Sequence, residues 1–240
     1  MKLDDVKKLQ QKKYREEFGY FLVEGEHLVL ELQKAAQKIP SLKNSELFVT
    51  GNYEHWQSDF KTHLVTEKQM LQISDTKTPQ GIIAVVPFLS TPITPTGNER
   101  AIYLHEVQDP GNLGTILRTL AWFGNFRLLL SPNSVDPYNP KVVRSSMGAI
   151  FHVPMDLDVT LDSLKHRFET IACLDMQGKN LSDTSFKKFD CYLFGNEARG
   201  VPRDKLTDVN AQAFTIQGSG AIESLNLATA VNMCAYEIAR

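Results

Sequence analysis

Three stretches of the 240-residue sequence combine glycine and asparagine with charged side chains, which are residue types suited to binding anions and positioning reactive groups. The first stretch runs from Asp109 to Arg118, and its glycines at 111 and 114 permit close approach of the backbone to a ligand. A helix that begins here would present free N–H groups to an anion. An ordinary turn followed by a surface arginine fits the pattern equally well.

The second stretch follows a short apolar segment and contains Gly195, Glu197 and Gly200. An unpaired carboxylate is costly to bury, so Glu197 at the end of a buried strand indicates a function rather than packing. The alternative is a solvent-facing turn residue, which the flanking glycines make the less favoured interpretation.

The third stretch is a glycine loop after Ile216 that leads into a helix predicted over 223–239. Capping accounts for Glu223 near the helix start, but it leaves Asn226 unexplained, because asparagine is unfavourable inside an apolar helix. A capped core helix remains the alternative. Close packing of this helix is favoured by its small side chains, which include Ala228, Ala230 and Ala235.

Short apolar strands alternate with helices around these stretches. Strands are predicted over 101–107, 126–130, 170–174, 191–194 and 213–216, and helices over 113–123, 161–168 and 223–239. Asn112 is the predicted cap of the helix over 113–123, and Gly124 its end. The alternation predicts an α/β fold with a mostly parallel sheet covered on both faces. Ligands of such sheets bind beyond the carboxyl ends of the strands, where all three stretches lie.

A proline-rich segment over 87–98 is the best linker candidate, and it predicts two domains, 1–94 and 95–240. The first domain is predicted to contain strands over 20–25, 47–50, 62–66 and 81–86 and a helix over 26–36. It opens on a cationic segment, Lys7–Arg15, which by itself is best interpreted as a solvated helix face.

Composition excludes several classes of protein. With 26 basic and 28 acidic residues the net charge is −2, which argues against a protein that coats nucleic acid. No apolar run is long enough to span a membrane, and the charged N-terminus is unlike a secretory signal. The cysteines at 173, 191 and 234 lack metal-ligand spacing, so buried free thiols in a reducing, cytoplasmic compartment are expected and no metal site is.

The three stretches together resemble the motifs of the SpoU (TrmH-type) RNA ribose 2′-O-methyltransferases of the SPOUT superfamily. The matching motifs are Asn112-Leu-Gly-Thr-Ile-Leu-Arg118, Phe194-Gly-Asn-Glu197-Ala-Arg-Gly200 and Glu223-Ser-Leu-Asn226-Leu-Ala. The segment 135–154 and the N-terminal residues 14–26 are also similar to the family. Gln217-Gly218 departs from it, since a proline or methionine usually follows the isoleucine.

The resemblance implies a trefoil-knotted, mostly parallel α/β catalytic domain, preceded by a small ribosomal-protein-like (L30e-like) α/β domain that binds RNA. It implies S-adenosyl-L-methionine as cofactor and a homodimer formed through the knotted domain and the C-terminal helix. Packing of that helix within its own subunit is the alternative.

The resemblance also implies roles for individual residues. Arg118 is the predicted catalytic residue: an arginine is a poor proton acceptor but a good clamp for phosphate and developing alkoxide. Its predicted supporting residues are Asn112, Glu197, Ser224 and Asn226. The cofactor is predicted to lie along Leu193, Gly195, Gly200, Ile216 and Leu225. Lys141 and Arg144 either guide the RNA backbone or form a solvated basic pair.

The implied substrate is RNA, and the N-terminal domain favours ribosomal RNA over tRNA. Two other classes of function are considered. A SpoU-like assembly factor would bind RNA without catalysis, which the full set of motif residues argues against. A nucleotide- or NAD-dependent enzyme is disfavoured because the sequence has neither a GxGxxG after a strand nor a GxxxxGK[ST] loop.

Overall fold

The structure is a computed structural model that describes residues 1–89 and 99–240, apart from the side chains at 203 and 204. The chain forms two compact units, one of Met1–Ser90 with Asp136–His152 and the other of Thr91–Val135 with Val153–Arg240. The predicted domain boundary between residues 94 and 95 lies outside the described residues and stays a prediction.

Ten strands and nine α-helices are formed by the described residues. The strands are β1 (Tyr20–Glu24), β2 (Glu46–Val49), β3 (Lys61–Leu64), β4 (Ile82–Pro87), β5 (Arg100–Leu104), β6 (Phe126–Leu130), β7 (Met155–Asp156), β8 (Ile171–Asn180), β9 (Cys191–Phe194) and β10 (Gln212–Thr215). The helices are α1 (Leu3–Lys8), α2 (Lys12–Phe18), α3 (Glu26–Ala36), α4 (Glu67–Ile73), α5 (Pro110–Phe123), α6 (Pro140–Ser146), α7 (Leu164–Arg167), α8 (Arg203–Asp208) and α9 (Leu227–Ala239).

The first unit is built on a four-stranded mixed sheet with strand order β1-β4-β2-β3. Strand β4 is antiparallel to both neighbours, and β2 and β3 are parallel. The apolar run in β4 is buried because this strand lies inside the sheet. Helix α3 begins after Gly25, whose φ of 100° suits glycine, and it buries one apolar stripe. The predicted strands and helix of this region are confirmed to within two residues at each end.

The segment 136–152 folds with this first unit, although it lies well after the predicted linker. The ring of Tyr138 stacks on Phe88 at 4.3 Å between centroids and contacts Phe21 at 4.7 Å. Asp136 binds the guanidinium group of Arg15, with 2.5 Å between Oδ2 and Nη2. No periodicity in the sequence indicates these contacts, because they join residues between 50 and 121 positions apart.

Arg15 corrects the interpretation of Lys7–Arg15 as one solvated helix face. The segment divides between α1 and α2, and Arg15 is buried. Its Nη1 donates to the carbonyl oxygens of Leu9 and Gln10 at 2.8 and 2.9 Å. Because a buried guanidinium needs partners for its donors, Arg15 holds the turn between the two helices rather than facing solvent.

The second unit is built on a six-stranded sheet with order β10-β8-β9-β5-β6-β7, in which every neighbouring pair is parallel. This confirms the predicted α/β fold with a mostly parallel sheet. Strands β5, β6 and β9 are almost fully buried, as continuous apolar strands of such a sheet should be. Strand β5 ends three residues earlier than predicted, and β8 continues to Asn180 because it pairs with β10 beyond an irregular step in the register.

Two helix starts differ from their predictions. Helix α5 begins at Pro110 with Asp109 as its cap, so Asn112 is the third residue of the helix and not the cap. Proline suits a first helical position because its missing N–H needs no partner there. Helix α9 begins at Leu227 rather than at residue 223, and Asn226 is its cap. Gly124 ends α5 as predicted.

A buried cluster of charges joins β6 to Glu99, just before β5, and to Asp156 in β7, and it predicts an effect on stability. Arg127 binds Glu99 at 3.1 Å and Asp156 at 2.7 Å, and its side chain is only 4% exposed. Arg127→Met should lower the free energy of unfolding by about 3 kcal/mol, because the two carboxylates lose a buried guanidinium.

Urea unfolding followed by circular dichroism measures this change. The matched control is Arg100→Met, since Arg100 lies 3.5 Å from Asp190 and both side chains are more than a third exposed. That variant should change stability by less than about 1 kcal/mol. Equal effects of the two substitutions would contradict the assignment of a structural role to Arg127.

Several features of the described residues bear on the classes of protein considered above. Cys173, Cys191 and Cys234 are buried free thiols, as predicted, and burial raises the pKa of Cys173 to about 12. In the described part of the chain no three His, Cys, Asp or Glu side chains are grouped as metal ligands would be. None of its helices has the length and apolar character needed to cross a bilayer.

Candidate active site

The first wall of the site is the start of α5, at the carboxyl end of β5. Asp109 Oδ1 accepts a hydrogen bond of 2.7 Å from the backbone N–H of Asn112, which fixes the first turn of the helix. Asn112 is thereby held with its side-chain amide free to contact other loops. The predicted first stretch is therefore a capped helix start whose polar residue at the third position faces the site.

The second wall is the turn over residues 196–200, which follows β9. Asn196 and Gly200 exchange backbone hydrogen bonds of 3.0 and 2.9 Å. The Asn196 side chain accepts from the N–H groups of Ala198 and Arg199, and its Nδ2 donates to the carbonyl oxygen of Glu106 at 2.7 Å. Gly200 has a φ of 66°, a conformation that costs glycine little. Asn196 thus fixes the turn internally and ties it to the end of β5.

Glu197 lies at the tip of this turn and is exposed, so the less favoured interpretation of its position is the right one. Its carboxylate is nevertheless fully engaged with the start of α5. It accepts from the N–H groups of Gln108 and Asp109 and from Asn112 Nδ2, each at 3.3 Å. Hydrogen bonds to the partly positive end of a helix stabilise a carboxylate, which explains why Glu197 needs no burial to be held.

The third wall is Asn226 at the start of α9. Its Oδ1 accepts from the N–H of Thr229 at 3.2 Å, and its Nδ2 donates to Asn112 Oδ1 at 2.9 Å. The amide therefore caps one helix and holds another at the same time. This double role accounts for an asparagine that the sequence pattern left unexplained.

A chain of hydrogen bonds, Asn226–Asn112–Glu197, therefore joins all three stretches. They border a surface cavity of about 410 Å³. The cavity is lined by Gln108, Asp109, Asn112, Asn196, Glu197, Ala198, Ser224, Leu225, Asn226 and Leu227. Of the predicted site residues, the structure brings together Asn112, Glu197, Ser224, Leu225 and Asn226.

Charges beside the cavity are partly paired. Glu106 has a positive φ of 49°, and its carboxylate binds Arg199 Nη2 at 2.5 Å. Next to it, burial lowers the pKa of His105, and the positive charges of Arg199 and Lys205 act in the same direction while Glu106 opposes them. The buried Nδ1 of His105 has no hydrogen-bond partner in the described part of the chain.

Arg118 does not line this cavity. It lies six residues beyond Asn112 on α5, which places it about 120° around the helix and about 9 Å along its axis. Its side chain is exposed, and within the described residues it makes no hydrogen bond or ion pair. Trp122 lies one turn further along the same face of the helix and is 84% exposed.

The remaining predicted cofactor residues lie in β9, in the turn that follows it, and directly after β10. Leu193 is buried in the core of the unit, and Ile216 follows β10 and is half-buried. Gly195 and Gly200 approach each other so closely that a Cβ on Gly195 would lie 2.3 Å from the Gly200 carbonyl carbon. The atypical Gln217 lies in an exposed loop, where its side chain accepts from Asn180 Nδ2 at 3.0 Å.

Five of the lining residues were not predicted. Asp109 carried a usable signal, since aspartate before proline is typical of a helix start. Asn196, Ala198 and Leu227 lie inside the quoted motifs but were assigned no role. Gln108 carried no signal, because its position depends on hydrogen bonds from its side chain to the carbonyl oxygens of Glu106 and Asn133.

The close approach at Gly195 yields a second prediction. Gly195→Ala should lower the free energy of unfolding by about 1–3 kcal/mol, because its Cβ would overlap the backbone of Gly200 and Val201. Gly218→Ala is the matched control, since nothing lies within 4 Å of a Cβ there. Chemical denaturation compares the two, and an unchanged midpoint for Gly195→Ala would show that the two backbones are not in contact.

Comparisons of the sequence with known families match both units of the chain. Residues 99–236 match the SpoU rRNA Methylase family, and residues 2–84 match the MRM3-like substrate binding domain. A relative from Bacillus subtilis, named 23S rRNA (guanosine(2553)-2′-O)-methyltransferase RlmP, is 30% identical over 244 residues, which cover 99% of this chain and 95% of the relative.

Solved structures give the same result for the fold. A putative RNA methyltransferase of the TrmH family from Porphyromonas gingivalis superposes with a TM-score of 0.84 at 29% identity, covering 98% of this chain and 96% of the other. An AdoMet-bound rRNA methyltransferase from Sinorhizobium meliloti gives 0.84 at 27% identity, with coverage of 98% and 93%. The family match extends over more than half of the chain and includes all three walls of the cavity. The chain belongs to the SpoU rRNA methylase family.

Proposed function

We propose that this protein transfers the methyl group of S-adenosyl-L-methionine to the 2′-hydroxyl of a ribose in ribosomal RNA. The observation that carries the proposal is the hydrogen-bonded chain Asn226–Asn112–Glu197, which joins the three family motifs at one cavity. Family membership supports the reaction class, and the relative from Bacillus subtilis is named for 2′-O-methylation of 23S rRNA.

The cavity region suits a cofactor held mainly by backbone. The turn over residues 195–200 is packed too closely for a Cβ at Gly195, so it presents mainly backbone groups to a ligand. Leu225 adds an exposed apolar surface for an adenine or aliphatic portion. Gly195, Gly200, Ile216, Leu193 and Leu225 are proposed to hold S-adenosyl-L-methionine. When bound, the cofactor supplies an electrophilic methyl group on a sulfonium centre.

The polar residues of the cavity are proposed to orient the nucleotide. Glu197 and Asn226 fix the Asn112 amide, and Ser224 adds a hydroxyl at the cavity wall. Holding the ribose in one orientation places its 2′-oxygen in line with the group to be transferred, and such positioning is worth several powers of ten in rate. Arg118 is proposed to grip the neighbouring phosphate and to stabilise negative charge that develops on the 2′-oxygen.

Arg118 lies outside the cavity of its own subunit, and a homodimer would place it at the interface with a second subunit. Helix α5 packs against α9 within the subunit, which is the alternative considered for α9, yet both helices also expose large apolar side chains. Trp122, Met233 and Tyr236 are all more than 40% exposed there, and Arg118 lies one turn from Trp122. A second copy that covers this surface would take up Arg118 at the interface, and the dimer is proposed to form through it.

The trefoil knot is part of the same proposal. Membership of the SpoU rRNA methylase family supports it, as does the likeness in fold to the solved structure from Porphyromonas gingivalis. Ribosomal RNA is preferred to tRNA because the first unit matches an MRM3-like substrate binding domain. The proposed compartment is the cytoplasm, since all three thiols are free.

Transfer of labelled methyl groups tests the substrate class. The full chain is incubated with methyl-tritiated S-adenosyl-L-methionine and, in parallel, with unmodified ribosomal RNA and unmodified tRNA. Label is expected in ribosomal RNA. Label in tRNA alone would contradict ribosomal RNA as the substrate. If neither RNA is labelled although the protein still binds RNA, the result would favour the assembly-factor alternative.

A further inference from the structure

The turn between α1 and α2 carries lysines and an aromatic ring on one surface of the first unit. Lys7, Lys8, Lys12, Lys13 and Tyr14 are together called the α1–α2 surface. The Nζ atoms of Lys8 and Lys13 lie 5.8 and 5.6 Å from the centre of the Tyr14 ring. The Phe18 ring stacks against Tyr14 at 5.9 Å. Aromatic faces attract ammonium groups, so these contacts hold the two lysines near the ring.

The cations of this surface are only partly neutralised. Lys8 pairs with Asp5 at 2.8 Å, and Lys12 lies 3.6 Å from Glu16. Lys7 and Lys13 are exposed, and neither has an ion pair with any described residue. Arg15 is buried and belongs to the scaffold, so it adds nothing to the exposed charge.

The scaffold beneath the surface is fixed by hydrogen bonds. The buried guanidinium of Arg15 holds the carbonyl groups of Leu9 and Gln10, which form the turn between the helices. Gln10 Nε2 in turn donates to the carbonyl oxygen of Ser74 at 2.9 Å. A surface held in this way loses little conformational entropy when it binds a partner.

A second basic segment, in α6, binds the loop at residues 74–75, to which Gln10 also donates. Asp75 follows the carbonyl that Gln10 binds, and its carboxylate accepts from Arg144 Nη1 at 2.8 Å. Lys141, one turn earlier on α6, is exposed. Gln10 of the turn between α1 and α2 and Arg144 of α6 therefore both bind the loop at residues 74–75, although they are more than a hundred residues apart in the sequence.

The chemistry of this surface selects its partner. Lysine ammonium groups bind phosphate oxygens and aromatic rings stack on unpaired bases, a combination typical of sites for single-stranded nucleic acid. Tyr14 is half-buried, so part of its ring is open to a base. A lipid surface is disfavoured because none of the described residues 1–18 is an exposed large apolar side chain. Resting on the proposed function, we propose that the α1–α2 surface binds an unpaired stretch of the RNA substrate, with lysines on its phosphates and Tyr14 against a base.

Fluorescence anisotropy with the full chain and a labelled single-stranded RNA of about 16 nucleotides tests the proposal. The triple variant Lys7→Gln, Lys8→Gln and Lys13→Gln should bind at least about tenfold more weakly and lower the slope of log K against log salt by about 2. Tyr14→Ala should bind about tenfold more weakly, whereas Tyr14→Phe should bind within about twofold of the wild type because it keeps the ring.

The matched control removes the same charge elsewhere on the first unit, through Lys34→Gln, Lys38→Gln and Lys43→Gln. It should retain wild-type affinity and salt slope. The proposal is overturned if both triple variants lose affinity equally, or if the Tyr14 and α1–α2 lysine variants bind as the wild type does.

Kinetics separate this inference from the proposed function. The α1–α2 variants should raise KM for RNA about tenfold while kcat at saturating RNA and the affinity for S-adenosyl-L-methionine stay unchanged. A fall in kcat at unchanged KM would contradict a docking role. If the wild type transfers no methyl group at all, the proposed reaction fails, yet the anisotropy comparison still decides whether this surface binds RNA.

Discussion

Arg118→Ala is expected to lower methyl transfer by at least about 10³-fold while leaving the affinity for S-adenosyl-L-methionine nearly unchanged. Arg118 is an exposed arginine outside the cavity, with no hydrogen-bond partner in the described residues that its removal would leave unsatisfied. The loss should therefore appear in the rate and not in the folding of the chain. Single-turnover kinetics and calorimetric titration of the cofactor measure the two quantities separately.

Two further variants define what the arginine contributes. Arg118→Lys keeps the charge but loses the planar pair of donors that suits phosphate, so it should recover only a small part of the rate. Arg100→Ala removes a partly exposed arginine of the same unit, at the end of β5 away from the cavity, and should leave the rate unchanged. Turnover by Arg118→Ala at the wild-type rate would remove this residue from the mechanism.

Asn226→Ala is expected to have the second largest effect, lowering the rate by about 10²-fold. The substitution removes the 2.9 Å hydrogen bond to Asn112, and a displacement of about 1 Å in a positioning group can cost that much. It also removes the cap of α9 and should lower the free energy of unfolding by about 1 kcal/mol.

Asn226→Ser separates these two consequences. A serine hydroxyl can still accept from the N–H of Thr229, so the cap and the stability should be retained, but it lacks the amide that reaches Asn112. The serine variant should therefore fold as stably as the wild type and transfer methyl groups as slowly as the alanine variant. A serine variant with full activity would show that capping is the only role of Asn226.

Much of the fold could be predicted because local pattern decides it. Strands β6 and β9 begin and end at the predicted residues. A short, continuous apolar run between polar turns is typical of a strand buried on both faces of a parallel sheet. Helix α3 is also predicted to the residue, because glycine precedes it and its apolar stripe recurs at helical spacing. The family assignment is likewise confirmed by the match over residues 99–236.

Other features depend on contacts that no local pattern records. Arg15 is buried because Asp136, 121 positions later, meets it. Helix α9 begins at residue 227 and not at the predicted residue 223, because the loop before it continues to Asn226. The side chain of Asn226 accepts the capping hydrogen bond from Thr229 and so sets the first turn of the helix. Glu197 is exposed and not buried, and its carboxylate is held by the backbone N–H groups of Gln108 and Asp109. These donors follow β5, a different strand from the one that precedes Glu197, so no local pattern records them.

The central claim is that this chain methylates a ribose oxygen, and the position of the transferred group tests it most directly. RNA labelled by the protein with methyl-tritiated S-adenosyl-L-methionine is digested with alkali, which cleaves every linkage that has a free 2′-hydroxyl. A methylated 2′-oxygen cannot attack the adjacent phosphate, so the label should remain in alkali-resistant dinucleotides. Label recovered in mononucleotides carrying a methylated base would contradict the account.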